Sequence, residues 1–253
     1  MPDPVLWQFK YSHYNEKVRW ALDFKGIPHV RRSLLPGPHA ARVMWMTGQR
    51  AVPVLMLDGK PITDSTRIIQ ALERFKPEPA LYPSNPAERE RALALEDFFD
   101  EELGPYIRRA WFYEVLPHAD YAAAQLTVGW SAATRWTYRR AYPLIRTIMA
   151  ADMGISASGA EVARGKVRAA LDWIAAELQP SGYLVGDRFS VADLTAAALL
   201  APVVMPENFS YPLLTPPPES AARYRASLAG HPAFQWAGDI FRRQRGTSAE
   251  RRT

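Results

Sequence analysis

Across a proline-rich stretch at residues 76–86 the chain changes its hydrophobic period, and that change restricts it to two unlike parts. Upstream, short apolar runs alternate with helical patterns. Val5 to Phe9 reads as a buried strand, and Asn15 to Lys25 then sets Val18, Ala21, Leu22 and Lys25 at helical spacing, with Gly26 as a stop and Pro28 beyond it. Val30 to Leu34 suits a second strand and Ala40 to Met46 a second helix. Val54 to Leu57 suits a third strand, which turns at Asp58-Gly59 into Pro61-Ile62-Thr63. Asp64 to Phe75 carries Ile68, Ile69 and Leu72 on one helical face behind a capping Asp-Ser start. The order is β-α-β-α-β-β-α.

Lys76-Pro77-Glu78-Pro79 and Pro83-Ser84-Asn85-Pro86 break both periods and read as a linker at 77–86. Beyond them only helical patterns remain: Ala87 to Phe112, Tyr121 to Ala151, Gly159 to Leu178, Val191 to Val204, Pro218 to Leu228 and Ala233 to Arg245. The expected organisation is an α/β domain at 1–76, the linker, an all-helical bundle at 87–246 and a basic tail at 247–253. Arg242, Arg243, Arg245, Arg251 and Arg252 face only Glu250 in sequence, so the terminus is expected to be frayed and solvated.

The chemistry is narrowed most by an absence. None of the 253 residues is cysteine, so disulfides, thiolate metal ligands and protein-thiol nucleophiles are excluded. The histidines at 13, 29, 39, 118 and 231 form no HxxxH or HExxH pair, and no metal is expected. A net charge of +5 without a basic, aromatic-studded face gives no reason to expect a nucleic-acid partner. No run approaches the ~18 to 20 apolar residues of a membrane span, and residues 1–11 lack the layout of a secretory signal. A cytoplasmic protein without a membrane partner is expected.

Three short stretches point to a ligand. Ser12 to Arg19 (SHYNEKVR) lies where the first strand meets the first helix, so a hydroxyl there sits near a helix N-terminus that favours negative charge and can hold a thiolate. Val52-Pro53 heads the third strand, where a cis bond would turn the Val52 N–H and C=O outward toward a peptide-like ligand. Asp64-Ser65 opens the third helix, offering a carboxylate for an ammonium group and a hydroxyl with free N–H groups for a carboxyl group. Each is also an ordinary local device: Ser12 and Asp64-Ser65 are normal helix starts, and Val-Pro is a common dipeptide.

In this order and on this frame, the motifs resemble the glutathione transferase superfamily over nearly the whole chain. SxxxxKVRxALxxKGI at Ser12 to Ile27, VPVL at Val52 to Leu55 and DS at Asp64-Ser65 match its amino-terminal domain. Tyr183 to Asp193 matches the YLxGxxxSxADL segment of its helical domain, where Ser190 and Asp193 have capping-box spacing with Asp in place of Glu. The resemblance implies a thioredoxin-like thiol-binding domain followed by the helical domain, with glutathione as cosubstrate.

Residue by residue, the resemblance aligns Ser12 with the catalytic serine of the serine-type classes, with Tyr11 and Tyr14 as alternatives. Val52 and Pro53 would meet the cysteinyl part of glutathione, Asp64 and Ser65 its γ-glutamyl end, and Arg50 or Gln49 its glycine end. Two positions depart from the common pattern: His13 stands where proline often follows the catalytic residue, and is expected to be exposed; Ala51 stands where lysine is frequent. A small hydrophobic electrophile is expected in an interdomain pocket formed by Tyr106, Trp111, Phe112 and Tyr113, with Trp130, Trp136 and Tyr138 undecided. The implied activity is transfer of a bound thiol to a carbon electrophile by a detoxifying homodimer. A non-catalytic binding or structural module, and a thiol-dependent isomerase or dehalogenase using the same site, are the alternatives. A glutaredoxin-like reductase would need a cysteine.

Overall fold

The structure is a computed structural model and describes residues 3–251. Its first part holds β1 (Val5–Gln8), α1 (His13–Phe24), β2 (Val30–Ser33), α2 (His39–Thr47), β3 (Val54–Leu57), β4 (Lys60–Thr63) and α3 (Ser65–Phe75). The strands form one sheet in the order β2-β1-β3-β4. β1 runs parallel to β2, pairing Val5 with Val30, and antiparallel to β3, pairing Leu6 with Leu55. The β3–β4 hairpin closes through Asp58 and Gly59, both at positive φ (50° and 76°), as a tight turn at an Asp-Gly pair requires.

The second part is helical: α4 (Pro86–Phe98), a π-helical turn (Phe99–Leu103), α5 (Gly104–Val115), α6 (Ala119–Leu126), α7 (Ala132–Asp152), α8 (Ala157–Glu177), α9 (Val191–Val204), α10 (Glu219–Ala229) and α11 (Pro232–Gln244). Two expected helices divide. Ala87 to Phe112 is interrupted by the π-helical turn. Tyr121 to Ala151 breaks between α6 and α7, where Gly129 takes φ 80° and Ser131 caps the next helix through the Thr134 N–H. The helix α9 is buried on every side, which explains its uniformly apolar sequence. Its start is the expected capping box: the Asp193 carboxylate accepts from the Ser190 N–H at 2.9 Å and, with its other oxygen, from the Leu184 N–H at 2.7 Å.

Charged side chains buried at the junction join the two parts. Lys17 has no exposed surface and pairs with Glu96 at 2.8 Å and Asp100 at 2.5 Å, both from the helical part. The linker is pinned as well, since Lys25 Nζ donates to Pro77 O at 3.1 Å and Pro79 O at 2.7 Å.

The terminus is docked rather than frayed. Arg245 is 4% exposed and its guanidinium meets Glu16 at 2.7 Å and Asp23 at 2.9 Å. Further on, the Ala249 N–H donates to Asp23 Oδ1 at 2.8 Å and the Arg251 N–H to His29 O at 2.8 Å, so the last described residues lie beside β2. The expected solvated tail is corrected for residues 245–251: the buried carboxylates of Glu16 and Asp23 in α1 hold Arg245, and Arg251 pairs with Asp3 at 3.0 Å. Arg252 lies outside the described residues.

Candidate functional site

The β1–α1 connection is held from beneath. Arg19 is fully buried, donates to Glu16 at 2.7 Å and Gln8 Oε1 at 2.6 Å, and supports the Phe9 and Lys10 carbonyls at 3.2 and 3.0 Å. The arginine of the KVR motif thus fixes the loop that presents Ser12. Ser12 is the N-cap of α1, and its Oγ accepts from the Asn15 N–H at 3.4 Å. That long bond uses a lone pair and leaves the hydroxyl proton free to be donated.

The two tyrosine hydroxyls beside it are already engaged. Tyr11 donates to Pro212 O at 2.9 Å, and burial pushes its hydroxyl up to about 12. Tyr14 donates to Asp100 O at 2.6 Å and is raised further, by burial first and the Asp100 charge second. Either would have to break a hydrogen bond before it could serve a thiolate.

His13 is buried, at 3% exposure, not exposed as its place in the sequence suggests. Its Nε2 lies 3.0 Å from Gly104 O, which requires a proton on that nitrogen. Burial, then the positive charge of Arg108, lowers it to about 3, so the ring is neutral at ordinary pH.

A cleft of about 490 Å³ opens between the two parts. Ser12, Tyr11, Tyr14, Arg50, Val52 and Phe112 line it, bringing together residues from the first part and from α5. The Val52-Pro53 bond is cis, and Pro53 itself is buried behind the cleft wall. Asp64 and Ser65 do not line this space. The Asp64 carboxylate caps α3 by accepting from the Arg67 N–H at 3.0 Å, and Ser65 is 5% exposed.

The aromatic segment of α5 splits by helical face. Arg108, Trp111, Phe112 and Val115, at spacings of 3, 4 and 7, line a smaller inner chamber of about 60 Å³. Tyr106 and Tyr113 point the other way, toward α8, where Lys166 lies 5.6 Å from the Tyr106 ring and Arg164 5.5 Å from the Tyr113 ring. Tyr11, His13, Arg108, Phe112 and Leu126 border both spaces, so the chamber is the inner end of the cleft. Of the three undecided aromatics, Trp130 lines the cleft, Tyr138 is buried with its hydroxyl 3.3 Å from Pro36 O, and Trp136 is 63% exposed.

Sequence reasoning missed Lys10, His39 and Asp152, which also line the cleft, and the polar role of Arg108. Only Arg108 had a legible signal, the helical spacing it shares with Trp111 and Phe112. Among the described residues no three His, Asp or Glu side chains converge as a metal site needs.

Two family models cover nearly the whole chain. Glutathione S-transferase, N-terminal domain, matches residues 6–80, and Glutathione S-transferase, C-terminal domain, matches residues 86–234. The chain belongs to the glutathione S-transferase family. Within the family, a probable glutathione S-transferase of Nicotiana tabacum is 27% identical over 115 residues, 42% of this chain and 48% of that protein. A probable maleylacetoacetate isomerase of Caenorhabditis elegans is 31% identical over 94 residues, 36% of this chain and 44% of that protein. The chain spans about half the length of the curated relatives it matches.

Solved structures share the fold over most of their length. The β-etherase LigF of Sphingobium superposes with a TM-score of 0.62 at 19% identity, covering 94% of this chain and 99% of that one. A glutathione S-transferase of Methylobacterium radiotolerans, crystallised with glutathione sulfonate, gives 0.56 at 24% identity, covering 92% and 93%. At these identities the likeness is one of fold. Among the described residues no helix is long and apolar enough to cross a membrane.

Proposed function

We propose that this glutathione S-transferase family member binds glutathione in the cleft beside Ser12 and Val52 and transfers its sulfur to a hydrophobic carbon electrophile. The observation that carries the reading is the free proton of the Ser12 hydroxyl, where Tyr11 and Tyr14 have theirs engaged. A thiol of pKa ~8.5 needs ~2.7 kcal/mol of preferential thiolate stabilisation to come down two units. One hydrogen bond to a charged acceptor supplies roughly 1.5 to 3 kcal/mol, and the N-terminus of α1 adds ~0.3 to 1. Ser12 donates and the thiolate attacks; His13, neutral and turned to Gly104, takes no proton.

Val52 offers its backbone to the cysteinyl part of the peptide, and Arg50, with His39 beside it, suits the glycine carboxylate. Asp64 and Ser65, which cap and open α3 outside the cleft lining, are given the γ-glutamyl end on the family resemblance alone. A cytoplasmic homodimer acting in detoxification completes the proposal on that resemblance.

The test is a pH–rate profile for glutathione consumption. Ser12→Ala is expected to raise the apparent pKa of the bound thiol by about one to two units and to lower turnover at neutral pH roughly ten- to a hundredfold. Tyr11→Phe and Tyr14→Phe are expected to leave the profile in place. A shift in either tyrosine variant with none in Ser12→Ala would move the role to that tyrosine. A wild type that binds glutathione but turns over no electrophile would favour the binding module.

A second reading, a thiol-dependent isomerase, draws support from relatives named maleylacetoacetate isomerase in Caenorhabditis elegans and Rattus norvegicus. It predicts turnover with no net loss of thiol, which the same assay separates.

A further inference from the structure

The inner chamber is walled by Trp111, Phe112, Val115, Leu126 and Phe209, yet two donors facing it have nothing to bond. Arg108 Nε is buried without a hydrogen-bond partner, and the guanidinium pairs with no acidic side chain among the described residues. Gln125 is 9% exposed. Its Oε1 accepts from the Leu214 N–H at 2.8 Å, which fixes the amide and leaves Nε2 as the end without a partner. The Tyr11 hydroxyl lies near Gln125 but gives its proton to Pro212 O.

No carboxylate lines the chamber, so the charge of Arg108 meets no counter-ion there. A buried donor left unmade, and above all a half-buried charge left unpaired, is unfavourable unless something else satisfies it. An anionic ligand group entering from the Ser12 cleft would meet Arg108, which borders both spaces, with Gln125 as a second donor lining the chamber.

We propose that the electrophile carries a carboxylate on an aromatic or otherwise apolar body, with Arg108 and Gln125 as the residues that select it. The proposal rests on the thiol-transfer reading above and adds the substrate class. The carboxylate enters the chamber toward the free donors, the apolar body stays in the larger cleft against Phe112 and Leu126, and the electrophilic carbon turns toward the sulfur held at Ser12.

Two chloroarenes differing in charge test it, 1-chloro-2,4-dinitrobenzene and 4-chloro-3,5-dinitrobenzoate. In both, sulfur attacks the carbon that bears chlorine, a C–S bond forms, the C–Cl bond breaks, chloride leaves and the thiol proton goes to solvent. Arg108→Gln is expected to lower kcat/KM for the benzoate roughly ten- to a hundredfold more than for the neutral arene, as loss of a charge-assisted hydrogen bond does. Arg108→Lys should recover part of the loss. Equal losses on both arenes, or none on either, would overturn the assignment.

A binding arm keeps this separate from the thiol reading. Quenching of tryptophan fluorescence by the unreactive 3,5-dinitrobenzoate and 1,3-dinitrobenzene needs no turnover. The wild type should bind the benzoate more tightly and Arg108→Gln should lose that preference. Equal affinity of the wild type for the two would sink the proposal even if glutathione is consumed, whereas failure to bind or consume glutathione would sink the thiol reading and leave the benzoate preference to be judged on its own.

Discussion

At residue scale the site turns on which protons are free. Ser12 is a helix cap and, in our proposal, a donor to sulfur; the two roles do not compete, because one uses a lone pair and the other the proton. His13 shows the opposite situation, a titratable ring held neutral. Its folded value, about 3 against an ordinary 6.5, means that the folded state resists protonation. The stability this gives is complete above pH 6.5 and is lost as pH falls from there through the folded value near 3. NMR titration from pH 5 to 8 should therefore leave the His13 ring resonances unmoved, and an inflection within that range would refute the buried, neutral ring. The motif made Ser12 legible in the sequence. His13 was not, because its burial depends on Gly104, 91 residues away in the chain.

At the scale of elements, α1 and α5 meet through one small residue. A β-carbon at Gly104 would lie 2.1 Å from the Tyr14 hydroxyl and 2.6 Å from Cζ, and the ring cannot swing aside without giving up its 2.6 Å bond to Asp100 O. Gly104→Ala is expected to destabilise by about 1–3 kcal/mol, as overpacking does. Adding Tyr14→Ala should relieve part of that, so thermal melts of the two single variants and the double should be non-additive. Strict additivity would show that the helices do not meet there. The strands and most helices could be read from period alone, since Val54 to Leu57 and Val191 to Val204 begin and end as expected. The break between α6 and α7 could not, because apolar residues on both sides keep helical spacing across Gly129. The same period assigns Trp111 and Phe112 to the cavity and Tyr106 and Tyr113 to α8, a division invisible to a count of aromatics.

For the whole molecule, the decisive contacts join residues far apart in sequence. Glu16, without exposed surface, lies between Arg19 at 2.7 Å and Arg245 at 2.7 Å, so one carboxylate of α1 supports both the loop beneath Ser12 and the docked terminus. Burial works to raise this carboxyl, but Arg245 and then Arg19 outweigh it and hold it below its ordinary 4.5. A carboxyl depressed in the folded state gives stability that is present above the unfolded value and lost as pH falls through the folded one. The melting temperature of the wild type should thus decline below pH 4.5, and Glu16→Gln should remove Glu16's share of that slope. At neutral pH the variant should be destabilised by about 3–5 kcal/mol, because two buried guanidiniums lose a shared partner. Asp23 still holds Arg245 at 2.9 Å, so the terminus should loosen rather than detach, and trypsin should cleave at Arg245 and Arg251 sooner than in the wild type. An unchanged melting curve with unchanged digestion would mean that Glu16 does not hold the terminus, which its contacts to Asp23 and His29 then secure without it.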